Sequence, residues 1–160
     1  MSDAMSRFLS VAVLCLLVTA GGACPPGEDE IEIRVLAIMV SEHKDKIDPR
    51  LAQFAKQVQK KDPTLIGFRL QHSGRDNLKL GDTQKFQLVG KEVVEVTVNK
   101  ERNKAGKVVL TIKPPKLDQI TYECVCDKYF SMATQYFEGT GKDKEQLFIA
   151  IMAKPCGTKK

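Results

Sequence analysis

Two sulfurs separated by one residue, Cys124-Val125-Cys126, form the most reactive-looking pattern in this 160-residue chain. Paired thiols can exchange with a disulfide, or hold a soft metal such as copper(I) with thioether help from Met132 or Met152. A thioredoxin-like pair, however, uses two intervening residues and sits at a helix N-terminus, where the dipole lowers the thiol pKa. Here Ile120-Thr121-Tyr122-Glu123-Cys124-Val125-Cys126-Asp127 alternates as a strand does, which predicts both cysteines on one face. Extended residues two apart stand roughly 6.5–7 Å from each other, at the outer limit for a disulfide, so each is expected to find a partner elsewhere. Cys156 is the expected partner of Cys126 or Cys124, closing a loop of about 30 residues that is worth roughly 3–4 kcal/mol in the chain-entropy model. Bridging is the favoured reading; thiol redox or soft-metal handling by Cys124 and Cys126 is the alternative.

The remaining chemistry-bearing residues form no recognisable centre. The chain has two histidines, His43 and His72, too few for a multi-histidine metal site. His72, Ser73 and Asp76 contain the letters of a hydrolytic triad, but sequence neighbours seldom reach the required geometry, and the G-x-S-x-G elbow is absent. Both histidines read as solvated loop residues, with His72 in an expected turn over Gln71–Asp76. The carboxylates Asp45, Asp48, Asp143 and Glu145 have no spacing that sets two of them across a cleft. No glycine-rich nucleotide signature occurs. The sequence supports no enzyme class, and it implies no cofactor and no resident metal.

The N-terminus has a clear physical logic. Arg7 precedes the apolar run Phe8–Thr19, which leads at once into Ala20-Gly21-Gly22-Ala23. A basic flank, a short apolar core and a small-residue exit make a secretory signal peptide, and the run is shorter than the roughly 20 apolar residues a spanning helix needs. The expected organisation is a signal peptide over 1–23, a polar lead-in over 24–30, one domain over 31–156 and a basic tail over 157–160. The protein is expected to be exported, to a periplasm, a cell envelope or the extracellular medium. Loss of the leader removes Cys15 and leaves Cys24, Cys124, Cys126 and Cys156, an even set whose pairings the sequence alone does not choose. Cys24 behind small residues is also a lipidation candidate, although Gly21 stands where lipoprotein signals usually carry a Leu-like residue. Contact with a membrane is expected only through the leader or such a lipid.

The net charge of +5 comes partly from Lys100, Arg102, Lys104 and Lys107 around one hairpin and from Lys154, Lys159 and Lys160 near the end. Nucleic acid attracts such patches, but an exported protein seldom meets it, and no aromatic residues alternate with these lysines to stack bases. The partner expected is a protein or an anionic polymer at the envelope.

The elements that must position these residues read as an α+β domain. Ile31–Val35 alternates and Leu36–Val40 is continuously apolar, the signature of a strand that ends buried on both faces. Asp48 as N-cap, Pro49 at the first helical position and the stripe Leu51, Phe54, Ala55, Val58 predict a helix over 49–61. Thr64–Leu70 then predicts a strand that would complete a β-α-β start. Further strands are expected at 77–80, 84–89, 92–98, 107–113, 119–126, 129–137 and 146–153. Val94, Val96 and Val98 face inward in one, and Val108, Leu110 and Ile112 in another. The architecture expected is a single helix packed on a mostly antiparallel β-sheet system.

Two resemblances follow. One helix against an antiparallel sheet is similar to the cystatin architecture, and Gln87-Leu88-Val89-Gly90 approaches its inhibitory Q-x-V-x-G pattern but lacks one residue; a protease-inhibitor-like module is therefore a further alternative. The segments Val35-Leu36-Ala37, Asp48-Pro49-Arg50-Leu51, Gly67-Phe68-Arg69-Leu70, Val109–Pro115, Ile120-Thr121-Tyr122 and Ala153-Lys154-Pro155-Cys156 together resemble an uncharacterised family of small exported bacterial proteins. That resemblance implies export and one domain, and transfers no site. It also implies a cysteine after the Phe68 strand, where this chain has Arg75 and Asp76, which leaves Cys24 without an evident partner. The function expected is thus a non-catalytic secreted or envelope-associated binding or structural module, held by one or more disulfides.

Overall fold

The computed structural model describes residues 30–125 and 128–155. The leader, most of the lead-in, the basic tail, and Cys24, Cys126 and Cys156 lie outside the described residues.

The chain order is β1 (Glu30–Ser41), a 3-10 turn (Pro49–Leu51) running into α1 (Ala52–Gln59), β2 (Gly67–Lys79), β3 (Thr83–Gln87), β4 (Val93–Val98), β5 (Val109–Lys113), β6 (Ile120–Glu123), β7 (Phe130–Glu138), a second 3-10 turn (Gly141–Asp143) and β8 (Glu145–Lys154). The strands form two four-stranded sheets, ordered β2-β1-β8-β7 and β3-β4-β5-β6. Every pairing between these strands is antiparallel.

The alternation of side chains explains the layers. Odd-numbered residues of β1 (Ile31, Ile33, Val35) and of β8 (Leu147, Ile149, Ile151) share one buried cluster with Val94, Val96 and Val98 of β4 and Leu110 and Ile112 of β5. Even-numbered Ile38 and Val40 of β1 and Ala150 of β8 point the other way, to a second cluster with Leu51, Phe54, Ala55 and Val58 around α1. The two-sided apolar run in β1 is therefore the shared wall between a sheet-on-sheet core and a smaller helix-on-sheet core.

Asp48 does cap the helical segment, accepting from the Arg50 backbone N–H at 3.0 Å, and Pro49 opens it. Its first turn is 3-10 and the regular part ends at Gln59, two residues short of the expected end. Three other expectations need correction. The order strand-helix-strand is present, but β1 and β2 pair antiparallel, so they do not make a parallel crossover unit. The turn expected over Gln71–Asp76 does not exist, since β2 runs unbroken from Gly67 to Lys79. Its polar composition is that of a half-wet outer strand, and the chain slips register once, where Ala37 faces His72 but Ile38 faces Leu70. Gly74 lies over β3, where an added Cβ would stand 2.8 Å from Phe86 Cδ1. Finally, β6 stops at Glu123, so the strand that was to carry both cysteines of Cys124-x-Cys126 ends just before them.

The outer strand β7 carries a larger irregularity. Ala133 faces Phe148 and Phe137 faces Gln146, so three residues of β7 are spanned by Leu147 alone. Buried Thr134 pins this bulge, donating to the Leu147 carbonyl at 2.9 Å and accepting from the Tyr136 N–H at 3.1 Å.

Candidate functional site

Cys124 begins the loop between β6 and β7, its N–H bonded to the Val108 carbonyl at 2.9 Å. Its side chain is a free thiol, 1% exposed, and belongs to the sandwich core. Burial pushes that thiol up to about 12. A thiol of that kind is protonated at neutral pH and is neither a nucleophile nor a ready metal ligand. Met152 is buried, and Met132 packs against the same core, each in the role of an apolar filler.

Where that loop leaves the core it helps to form a groove of about 420 Å³, between the C-terminal end of α1 and the start of β7. Val58, Leu65 and Phe148 contribute apolar surface from the helix side; Tyr122, Val125, Tyr129 and Phe130 contribute it from the loop side. Tyr122 and Phe130 stack at 4.4 Å between centroids with their planes 25° apart, so one face of each ring is covered by the other. The Tyr122 hydroxyl accepts from the Val125 N–H at 3.3 Å, and burial holds the phenol above its ordinary pKa, hence neutral. Val125 itself stays 42% exposed at the rim. The opposite wall is fixed by local bonds: Lys61 and Asp62 donate their N–H groups to the Val58 carbonyl, and Gln59 Nε2 donates to the Leu65 carbonyl at 3.0 Å.

The described lining of the groove holds two cations and one acid. Lys61 and Lys128 line it and are exposed, and neither makes an ion pair among the described residues. The acid in the lining, Asp62, is directed to Thr64, accepting from its N–H at 3.1 Å and its hydroxyl at 2.6 Å.

A second cleft of about 380 Å³ brings together two of the carboxylates named from sequence, Asp48 and Glu145, with Lys44, Lys46 and Arg69. It is not arranged as an acid–base pair. The Arg50 guanidinium and N–H hold Asp48 down to about 2, so it stays ionised. Glu145 is nearly buried and gives both oxygens to Arg69, at 3.4 and 2.8 Å, with Lys44 at 3.8 Å. Asp143 meets the same Lys44 at 3.6 Å. These charges tie the ends of β2 and β8 together across β1. Asp45 is exposed.

The other residues singled out earlier stay apart. His43 is exposed, its backbone N–H bonded to Ser41 Oγ at 3.1 Å. His72 and Ser73 are consecutive on β2, so their side chains leave opposite faces, and Asp76 accepts from the next residue's N–H at 2.8 Å. In Gln87-Leu88-Val89-Gly90, Leu88 and Val89 are buried and Gln87 Nε2 folds back on the Gly90 carbonyl at 2.8 Å. That turn offers no apolar wedge to a protease cleft. In the basic hairpin, Asn103 Oδ1 accepts from Ala105 and Lys107, and Arg102 donates to the Gly106 carbonyl at 3.1 Å.

Sequence reasoning missed the groove. Its one local signal is Lys128-Tyr129-Phe130, a cation followed by two aromatics; the rest of the lining comes from residues as far apart as Gln57 and Phe148. Compared with family models, curated proteins and solved structures, the chain matches none.

Proposed function

We propose that the protein is an exported, non-catalytic binding module that engages its partner in the groove between α1 and β7. The observation supporting this is a concave groove that combines the aromatic side chains Tyr122, Tyr129, Phe130 and Phe148 with the exposed cations Lys61 and Lys128. A selection of displayed random peptides on the leaderless protein tests the reading. It should enrich ligands whose binding is lost in Val125→Asp, a change at an exposed rim position that leaves the melting temperature nearly unchanged. Ligands indifferent to that substitution, or no enriched ligand at all, would overturn it. Export is tested separately by the intact mass of the secreted chain, which should begin at or shortly before Cys24 and reveals any lipid on it.

The disulfide is part of the same proposal. Of the two pairings expected for Cys156, with Cys126 or with Cys124, we propose the one with Cys126, because Cys124 is a free thiol in the core. In sequence, Cys126 precedes the start of β7 by four residues and Cys156 follows the end of β8 by two, and those two strands pair antiparallel. Cys156→Ala should lower the melting temperature of the oxidised protein by several degrees and leave the reduced protein unaffected. An unchanged melting temperature rejects the bridge.

A further inference from the structure

We propose that the groove's partner is an acidic segment of another protein, anchored by one aromatic or large aliphatic side chain. The proposal rests on the binding-module reading and adds the chemistry of the ligand.

Three observations carry it. First, Lys61 and Lys128 flank the groove without an ion-pair partner among the described residues, and the described lining sets one acid, Asp62, against these two cations. Second, α1 and the turn after it bring Lys56 and Lys60 close to Lys61 on the same wall, whereas Arg50, at the far end of the helical segment, is paired with Asp48. Such a group of cations favours anionic partners and speeds their encounter, and salt weakens the attraction. Third, the groove is apolar between its charges. Val125 is 42% exposed, and Tyr122, Tyr129, Phe130 and Phe148 bring aromatic surface to the lining beside Val58 and Leu65. Aromatic and aliphatic walls of this kind suit an inserted ring or branched side chain. A purely anionic polymer would satisfy the lysines and leave the apolar space unfilled.

The test uses the leaderless protein and short fluorescent peptides in a polarisation assay. One peptide carries Asp and Glu on both sides of a single Phe; a second replaces the acids by Lys; a third replaces the Phe by Ala. The first should bind at least about tenfold more tightly than either control, and raising the salt from low to high should weaken it by a similar factor. The double variant Lys61→Glu/Lys128→Glu, both changes at exposed side chains, should reverse the preference toward the Lys peptide while melting as the parent does. Val125→Asp should weaken the acidic peptide independently. Equal binding of the acidic and basic peptides, equal binding with and without Phe, or an unchanged preference in the double variant would overturn the proposal. Failure here is distinguishable from failure of the binding-module reading: display-selected ligands that are neutral or basic, yet still sensitive to Val125→Asp, would sink the acidic segment and keep the module.

Discussion

Iodoacetamide leaves Cys124 unmodified in the folded protein at pH 8 and labels it promptly once the chain is unfolded in denaturant. Two independent properties produce this outcome. The side chain is 1% exposed, so the reagent has no approach without local opening. Its thiol, pushed up to about 12 by burial, is also almost wholly protonated. Only about 1 in 10⁴ such thiols is ionised at pH 8, against roughly a quarter of ordinary ones, so ionisation alone slows alkylation on the order of 10³-fold. The same shift fixes the sign of a stability effect. Between an ordinary thiol's pKa and about 12, the unfolded chain loses its Cys124 proton and the folded chain keeps it. The folded state then holds more protons, so its stability falls as pH rises through that window and is unaffected below it. Comparison of the parent with Cys124→Ala isolates this contribution from the other alkaline titrations: the difference in stability between them should be constant below pH 8 and shift in favour of the variant above pH 9. Rapid native-state labelling of Cys124 would revive a thiol chemistry for this loop and remove the core role assigned to it.

Phe68→Ala should cost about 3–5 kcal/mol and lower the melting temperature on the order of 10 °C. Phe68 is 1% exposed and meets Phe54 of α1 edge-to-face, with ring centroids 6.2 Å apart. Its backbone is equally committed, donating to the Lys46 carbonyl at 2.9 Å and accepting from the Asp48 N–H at 2.8 Å. One residue thereby seats both the loop before the helix and the helix itself. An eight-residue helix is marginal without tertiary support, so the cavity left by the substitution falls on the element least able to collapse into it. Val58 and Leu65 belong to the same small cluster and also line the groove, so ligand binding should weaken together with stability. Phe68→Leu should be milder. Phe137→Ala is the control, because that ring is 46% exposed with Lys144 above it, and its loss should change stability by no more than about 0.5 kcal/mol. Chemical denaturation of the three variants measures all of this; a cost below about 1 kcal/mol for Phe68→Ala would contradict the packing described.

Much of the fold was legible because burial writes a period into the chain. Val94, Val96 and Val98, and likewise Val108, Leu110 and Ile112, stand at every second position and are all buried. The two-sided run in β1 announced a shared wall, and Asp48-Pro49 announced the helix start. What misled was the outer strand. Gln71 to Asp76 is polar on both faces, as a turn is, but here the polarity records an open edge, and periodicity does not separate the two. The end of β6 was hidden for a related reason: Cys124 continues the inward alternation after the ladder has stopped, since its N–H still reaches Val108. The groove was least legible. It is assembled from the helix end, two loops and three strands, and no local pattern encodes their meeting.

Both outer strands of the first sheet are out of step with their neighbours, β2 by one slip beside Ala37 and β7 by the Thr134 bulge. A straight, evenly spaced border would be a template on which a second chain could add strand upon strand, whereas a border with a kink breaks the run of free N–H and C=O groups. For a molecule built almost wholly of sheet, these two irregularities work against edge-to-edge growth into a fibre.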